Sequence, residues 1–185
     1  RLNNDTGERI YNPLFKYSEF YRFYNALIHD ERLLRVMQEK GYRGKFFLHT
    51  HHKVQLKDFT GNDIIEVMQQ GIDYQEEFRN NALLVTDFSS VAFDFAYLKK
   101  PVIYAQFDKD TFFQGQVYSE GYFDYERDGL GPVCYDYEST IEALIHAIEN
   151  DCVLDPLYDE RGNAFYRWFD QDNCKRVYDE IRRLH

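Results

Sequence analysis

The chain is 185 residues long, with 44% hydrophobic and 29% charged side chains, which supplies one buried core and argues against a disordered segment. No apolar run approaches the roughly 20 residues that a membrane-spanning helix needs. With 22 Lys plus Arg against 32 Asp plus Glu the formal net charge is -10, and no basic tract suits nucleic acid or an anionic membrane.

Residues 1–16, with Gly7, Asn12 and Pro13, read as loop. The start at Arg1 lacks a charged-then-apolar leader, so it is not a signal peptide, and the expectation is one domain, 1–185, cut from a longer protein. From Ser18, a cap, the apolar residues Phe20, Phe23, Tyr24, Leu27 and Ile28 recur at helical spacing. A second helix carries Leu33, Leu34, Val36 and Met37 and stops at Gly41. A strand over Phe46 to Leu48 runs into His49, His51 and His52. Residues 63–67 read as a strand and 73–81 as a short helix. "LLVT" is a strand, "SSVAFDFAYL" a helix capped by Ser89 or Ser90, and "PVIYA" a further strand. The stretch 111–133 is rich in glycine and aromatic residues and reads as a packed loop. Residues 139–150 form an amphipathic helix with Ser139 as cap, and 163–184 are helical again. Strands alternating with helices across short connections predict an α/β domain, a parallel sheet with helices on both faces.

In such a sheet ligands bind at the carboxyl ends of the strands, and "TDFSS" lies at one of them. Helix-start amides and the hydroxyls of Ser89 and Ser90 suit phosphate oxygens; equally, a Ser or Asp in that place caps a helix. Asp87 would repel a phosphate unless it pairs elsewhere. Asp94, among Phe93, Phe95 and Ala96, calls for a partner.

In an extended segment His49 and His51 share one face and His52 the other. They suit phosphate contacts, acid chemistry, zinc, or simple exposure in a polar loop. No further zinc ligands are spaced for a site, so no metal is expected. Cys134, Cys152 and Cys174 read as ordinary thiols in a reducing compartment. Tyr122, Phe123 and Tyr125 are expected to pack their loop.

Three stretches, "LLVTDFSSVAFDFAYLKKPVIY", "GYFDYERDGLGPV" and "FDQDNCKRVYDEI", resemble the C-terminal domain of the CDP-glycerol glycerophosphotransferase family, the teichoic-acid polymerases and primases and related capsule polymerases. The resemblance implies a Rossmann-like domain, the donor-nucleotide half of a glycosyltransferase-B type enzyme, with a CDP-activated polyol as donor substrate and no cofactor. Carried over by position, it puts Thr86, Ser89, Ser90 and Asp94 at the donor phosphates and His49 or His51 as their hydrogen-bond donor. It leaves Asp87 to orient a histidine or bind the donor polyol. Relatives show an arginine where this chain has Glu120, and Arg127 is a candidate replacement. A histidine that activates the acceptor belongs to an N-terminal domain absent here, so the isolated chain is expected to bind nucleotide weakly and catalyse little. The family's acceptors are polymer or lipid-linked, which implies a cytoplasmic enzyme peripheral to the inner face of a bacterial membrane. The same seam would hold the pyrophosphate of a nucleotide sugar, and a non-catalytic interaction module is the alternative outside enzymes.

Overall fold

The computed structural model describes residues 10–48, 50–69, 72–115 and 121–184, without the side chains of 50–53 and 113–115. Part of the expected N-terminal loop is a 3-10 helix, Pro13–Tyr17, because the Asn12 side chain accepts from the Leu14 N–H and Pro13 fits the first helical position. Helix α1 (Glu19–Leu27) starts as expected, with the Ser18 hydroxyl accepting from the Tyr21 N–H at 3.2 Å. Helix α2 (Glu31–Lys40) is capped by Asp30 and ends at Gly41, whose φ of 75° is left-handed and costs glycine nothing.

Strand β1 (Gly44–Phe46) is shorter and earlier than the Phe46 to Leu48 strand expected. Beyond it, Thr50–Asp58 is a 3-10 helix, so the alternation that set His51 against His52 does not hold for that backbone. Strand β2 (Ile65–Val67) pairs parallel with β1. Helix α3 (Tyr74–Asn80) follows under an Asp73 cap, and Lys100 holds its far end by donating to the carbonyls of Phe78, Arg79 and Asn81 at 2.7 to 2.8 Å.

Strand β3 (Leu84–Thr86), helix α4 (Val91–Tyr97) and strand β4 (Val102–Ala105) form the centre, and β4 pairs parallel with both β3 and β5 (Val133–Cys134). All four residues of β4 are buried, as a strand covered on both faces requires. Val102 and Tyr104 join Ala92, Phe95 and Ala96 of α4; Ile103 and Ala105 join a cluster with α1, α2 and α7 (Tyr137–Glu149). Close packing at this centre fixes Gly131: a Cβ there would come within 1.8 Å of the Val102 carbonyl oxygen.

The expected loop over 111–133 contains helices α5 (Lys109–Gly115) and α6 (Tyr125–Asp128) as well as the start of β5. Helix α7 begins two residues before Ser139, since Asp136 takes the cap and accepts from the Ser139 N–H at 2.8 Å. The helix expected over 163–184 is two, α8 (Pro156–Phe165) and α9 (Asn173–Arg183). Helix α4 supplies the break: the Tyr166 hydroxyl donates to the Phe93 carbonyl at 2.6 Å, and the Tyr97 hydroxyl reaches the Trp168 carbonyl at 3.0 Å. Helix α9 has no buried residue. No helix among the described residues is long and apolar enough to cross a membrane.

Parallel pairing stops between β1 and β3, leaving a two-stranded and a three-stranded sheet where one was expected. Residues of both strands line a cavity of about 550 Å³.

Candidate functional site

Thr86 ends β3, and Asp87 to Ser90 turn the chain into α4. Neither expected serine cap is formed: Ser90 stands at the cap position with helical φ and ψ and makes no side-chain cap bond. The first turn is closed instead by backbone, the Ser89 carbonyl accepting from the Ala92 N–H at 3.3 Å and the Ser90 carbonyl from the Phe93 N–H at 3.0 Å.

Thr86, Asp87 and Ser89 line the cavity together with Asp108, which follows β4. Ser90 and Asp94 are exposed and are not part of the lining, so of the residues expected at the phosphates the structure brings Thr86 and Ser89 to the cavity with Asp87. His49 lies outside the described residues, as does the side chain of His51. Among the described residues no group of three or more His, Cys, Asp or Glu is placed to hold a metal ion.

Aromatic packing fixes the turn. The Tyr125 hydroxyl donates to the Phe88 carbonyl at 3.3 Å, and Phe88 stacks on Phe112 with centroids 4.0 Å apart. Phe123 meets Phe93 edge-on at 5.1 Å. Phe123 and Tyr125 therefore pack as expected, whereas Tyr122 is 87% exposed.

Two carboxylates, Asp87 and Asp108, line the cavity near the carboxyl ends of β3 and β4. Burial pushes the Asp108 carboxyl above its usual range, with Asp87 and Glu19 adding to it. Burial, then Asp87, raises Tyr125 as well. Arg127, the candidate replacement cation, grips Asp128 through two bonds of 2.6 and 2.7 Å and is absent from the lining. Among the described residues two cations line the cavity, Arg43 and Lys45, at the start of β1. Lys45 donates to both carboxylate oxygens of Glu77 at 2.8 and 2.9 Å, and Arg43 to the Asp63 carbonyl at 2.6 Å. The lining thus sets the hydroxyls of Thr86 and Ser89, which can donate to phosphate oxygens, beside carboxylates.

Sequence reasoning missed Asp108 and took Tyr24, a cavity-lining residue, as one of an apolar stripe. The position of "QFD" immediately after a buried strand was the available signal for Asp108.

The CDP-Glycerol:Poly(glycerophosphate) glycerophosphotransferase family model matches residues 1–183. The chain is 39% identical over 178 residues to the minor teichoic acid biosynthesis protein GgaB of Bacillus subtilis (strain 168), covering 96% of this chain and 19% of that protein. It is 32% identical over 173 residues to the teichoic acid poly(glycerol phosphate) polymerase of the same organism, covering 86% of this chain and 22% of that protein. The chain therefore spans about a fifth of the length of these curated relatives. A solved structure of the wall teichoic acid polymerase TagF superposes with a TM-score of 0.51 at 16% identity, covering 87% of this chain and 50% of that one. That likeness concerns the fold, and it agrees with the α/β, glycosyltransferase-B type class expected. On the match of nearly its whole length, this chain belongs to the CDP-glycerol:poly(glycerophosphate) glycerophosphotransferase family.

Proposed function

We propose that residues 1–185 are the donor-binding domain of a transferase that moves glycerol phosphate, or another polyol phosphate, from a CDP-activated donor to a hydroxyl of a cell-surface polymer or its lipid-linked primer. The observation that carries this reading is the cavity at the carboxyl end of β3, where Thr86, Asp87 and Ser89 meet in a chain of this family. A cavity of about 550 Å³ with a largely apolar lining and a few polar side chains has the size and character of a small-ligand site.

In this mechanism the acceptor oxygen attacks the distal phosphorus of the donor, the bond from that phosphorus to the bridging oxygen breaks, and CMP leaves. The protein positions the groups and neutralises charge. Thr86 and Ser89 donate to phosphate oxygens, with His49 or His51 as a further donor, and no metal enters the scheme. The acceptor-activating group comes from outside this chain, so the isolated chain binds donor and turns over little. A lipid-linked acceptor accounts for a cytoplasmic protein working at the inner face of the bacterial membrane.

Calorimetric titration with CDP-glycerol, CDP and UDP tests the reading. The expected outcome is binding of the CDP ligands in preference to UDP, weakened about three- to tenfold by Ser89→Ala, the loss of one hydrogen bond, and weakened also by His49→Ala. A folded protein that takes up none of the three ligands refutes it.

A further inference from the structure

Strands β1 and β3 do not pair, yet each turns an edge toward the same cavity. Gly44 donates its N–H to the Ile64 carbonyl at 3.0 Å and the Phe46 carbonyl accepts from the Met68 N–H at 2.8 Å, so by the alternation of a parallel ladder the Lys45 backbone turns away from β2. Leu84 donates to the Pro101 carbonyl at 3.1 Å, which turns the Val85 backbone away from β4. Lys45 and Val85 both line the cavity. The two edges run the same way. Phe46 at the end of β1 and Phe107 after β4 both pack on Tyr24, each with centroids 5.8 Å apart, and β4 is parallel to β3.

The space between these edges is walled on both faces of the sheet. Leu27 of α1, Leu33 of α2 and Leu144 of α7 line it from the face that carries Ile103 and Ala105. Phe78 of α3 and Phe95 of α4 line it from the face that carries Val102 and Tyr104. A space in the plane of a parallel sheet, edged by backbone and covered by apolar helices above and below, fits a strand buried on both faces.

Chirality locates that strand in the sequence. Helix α4 carries the chain from β3 to β4 on one face, whereas α1 and α2 lead into β1 on the other. Crossovers between parallel strands are right-handed, so one on the opposite face runs in the opposite direction. The parallel strand that feeds α1 and α2 therefore lies on the β3 side of β1, which is the gap. Among the described residues every strand is already placed in a sheet, and the stretch 1–9, RLNNDTGER, is too polar for a strand covered on both faces. The curated relatives, of which this chain spans about a fifth, have the length to supply one.

We infer that a short apolar strand from the segment preceding residue 1 in the parent protein inserts between β1 and β3, parallel to both, and joins the two sheets into one. At ~3.3 Å per residue, about three or four residues match the three-residue strands on either side. The joined order, β2, β1, inserted strand, β3, β4, β5, reverses between the inserted strand and β3. The turn from Thr86 to Ser89 then stands at the switch point where open α/β sheets bind ligands. The strand takes the apolar depth of the cavity and leaves that turn open. The inference goes beyond the donor reading above and does not depend on it.

The experiment is a crystal structure of the parent protein at its natural length, with native-state hydrogen exchange on the same protein. The expected structure holds a strand of the segment preceding residue 1 between β1 and β3, its carbonyls accepting from the Lys45 and Val85 N–H groups. In solution those two amides are expected to exchange within about tenfold of Ile103. Direct pairing of β1 with β3, a gap filled by a ligand or by another part of the chain, or an open gap with Val85 exchanging more than about a hundredfold faster than Ile103 each overturns the inference. Titration of the same protein with CDP decides the donor reading separately: uptake of CDP with the gap open sinks the strand alone, and a filled gap without uptake of CDP sinks the donor reading alone.

Discussion

Asp108 is held where the fold resists its charge. Burial is the first reason its carboxyl is pushed up, and Asp87 and Glu19 add repulsion. A carboxyl raised in the folded state contributes stability below its unfolded value, near about 4, and that contribution is lost as pH rises through the folded value. At neutral pH the ionised group therefore opposes folding, and Asp108→Asn is expected to raise the thermal unfolding midpoint at about pH 7, the gain shrinking below about pH 4. A midpoint that falls at neutral pH would show that Asp108 is a structural anchor. Polar residues that line the cavity were legible where they are contiguous: "TDFSS" holds Thr86, Asp87 and Ser89 in one string. Tyr24 and Asp108 arrive from separate segments, and an aromatic residue at helical spacing reads as core whatever its hydroxyl faces.

Among the elements, α2 depends on an ionised cap. The Asp30 carboxylate accepts from the Arg32 and Leu33 N–H groups at 2.9 and 3.1 Å, from the Arg32 guanidinium at 2.9 Å and from the Tyr137 hydroxyl at 2.9 Å, joining α2 to α7. Arg32 is the main reason its pKa falls to about 2. A depressed carboxyl contributes stability above its unfolded value that is lost as pH falls through the folded one. Asp30→Ala is expected to cost about 1–2 kcal/mol at neutral pH, with the gap to wild type closing between about pH 4 and pH 2. Urea titrations across that range measure it, and a gap independent of pH would argue that the side chain acts by packing alone. Helix starts were readable wherever one good cap stood before an apolar period, as at Ser18. They were misread where two candidates competed: Asp136 and Ser139 are both cap residues, and the hydroxyl of Ser139 donates to the Asp136 carbonyl instead. The split between α8 and α9 has no local signature, because the tyrosines that impose it sit partly on α4 and partly in the connecting segment.

At the scale of the whole molecule, the parallel α/β architecture follows from alternation of elements, but the interruption between β1 and β3 does not. What two strands fail to do leaves no pattern in either one. The interruption predicts uneven protection of the sheet. Leu84 donates its N–H to Pro101 beside β4, so by the alternation of a parallel ladder the Val85 N–H turns toward the cavity. Native-state hydrogen exchange should find Val85 markedly faster than Ile103 and Ala105 at the centre of the sheet. Equal protection at the three amides would mean that β1 and β3 pair in solution. Helix α9 offers a different handle. Cys134 and Cys152 are buried and Cys174 is exposed, on the side of α9 that also carries exposed Val177, Tyr178 and Ile181. Burial raises the pKa of both inner thiols, so a maleimide dye will react first at one position, and its emission will report on whatever comes to cover that stripe without a single cysteine having to be replaced.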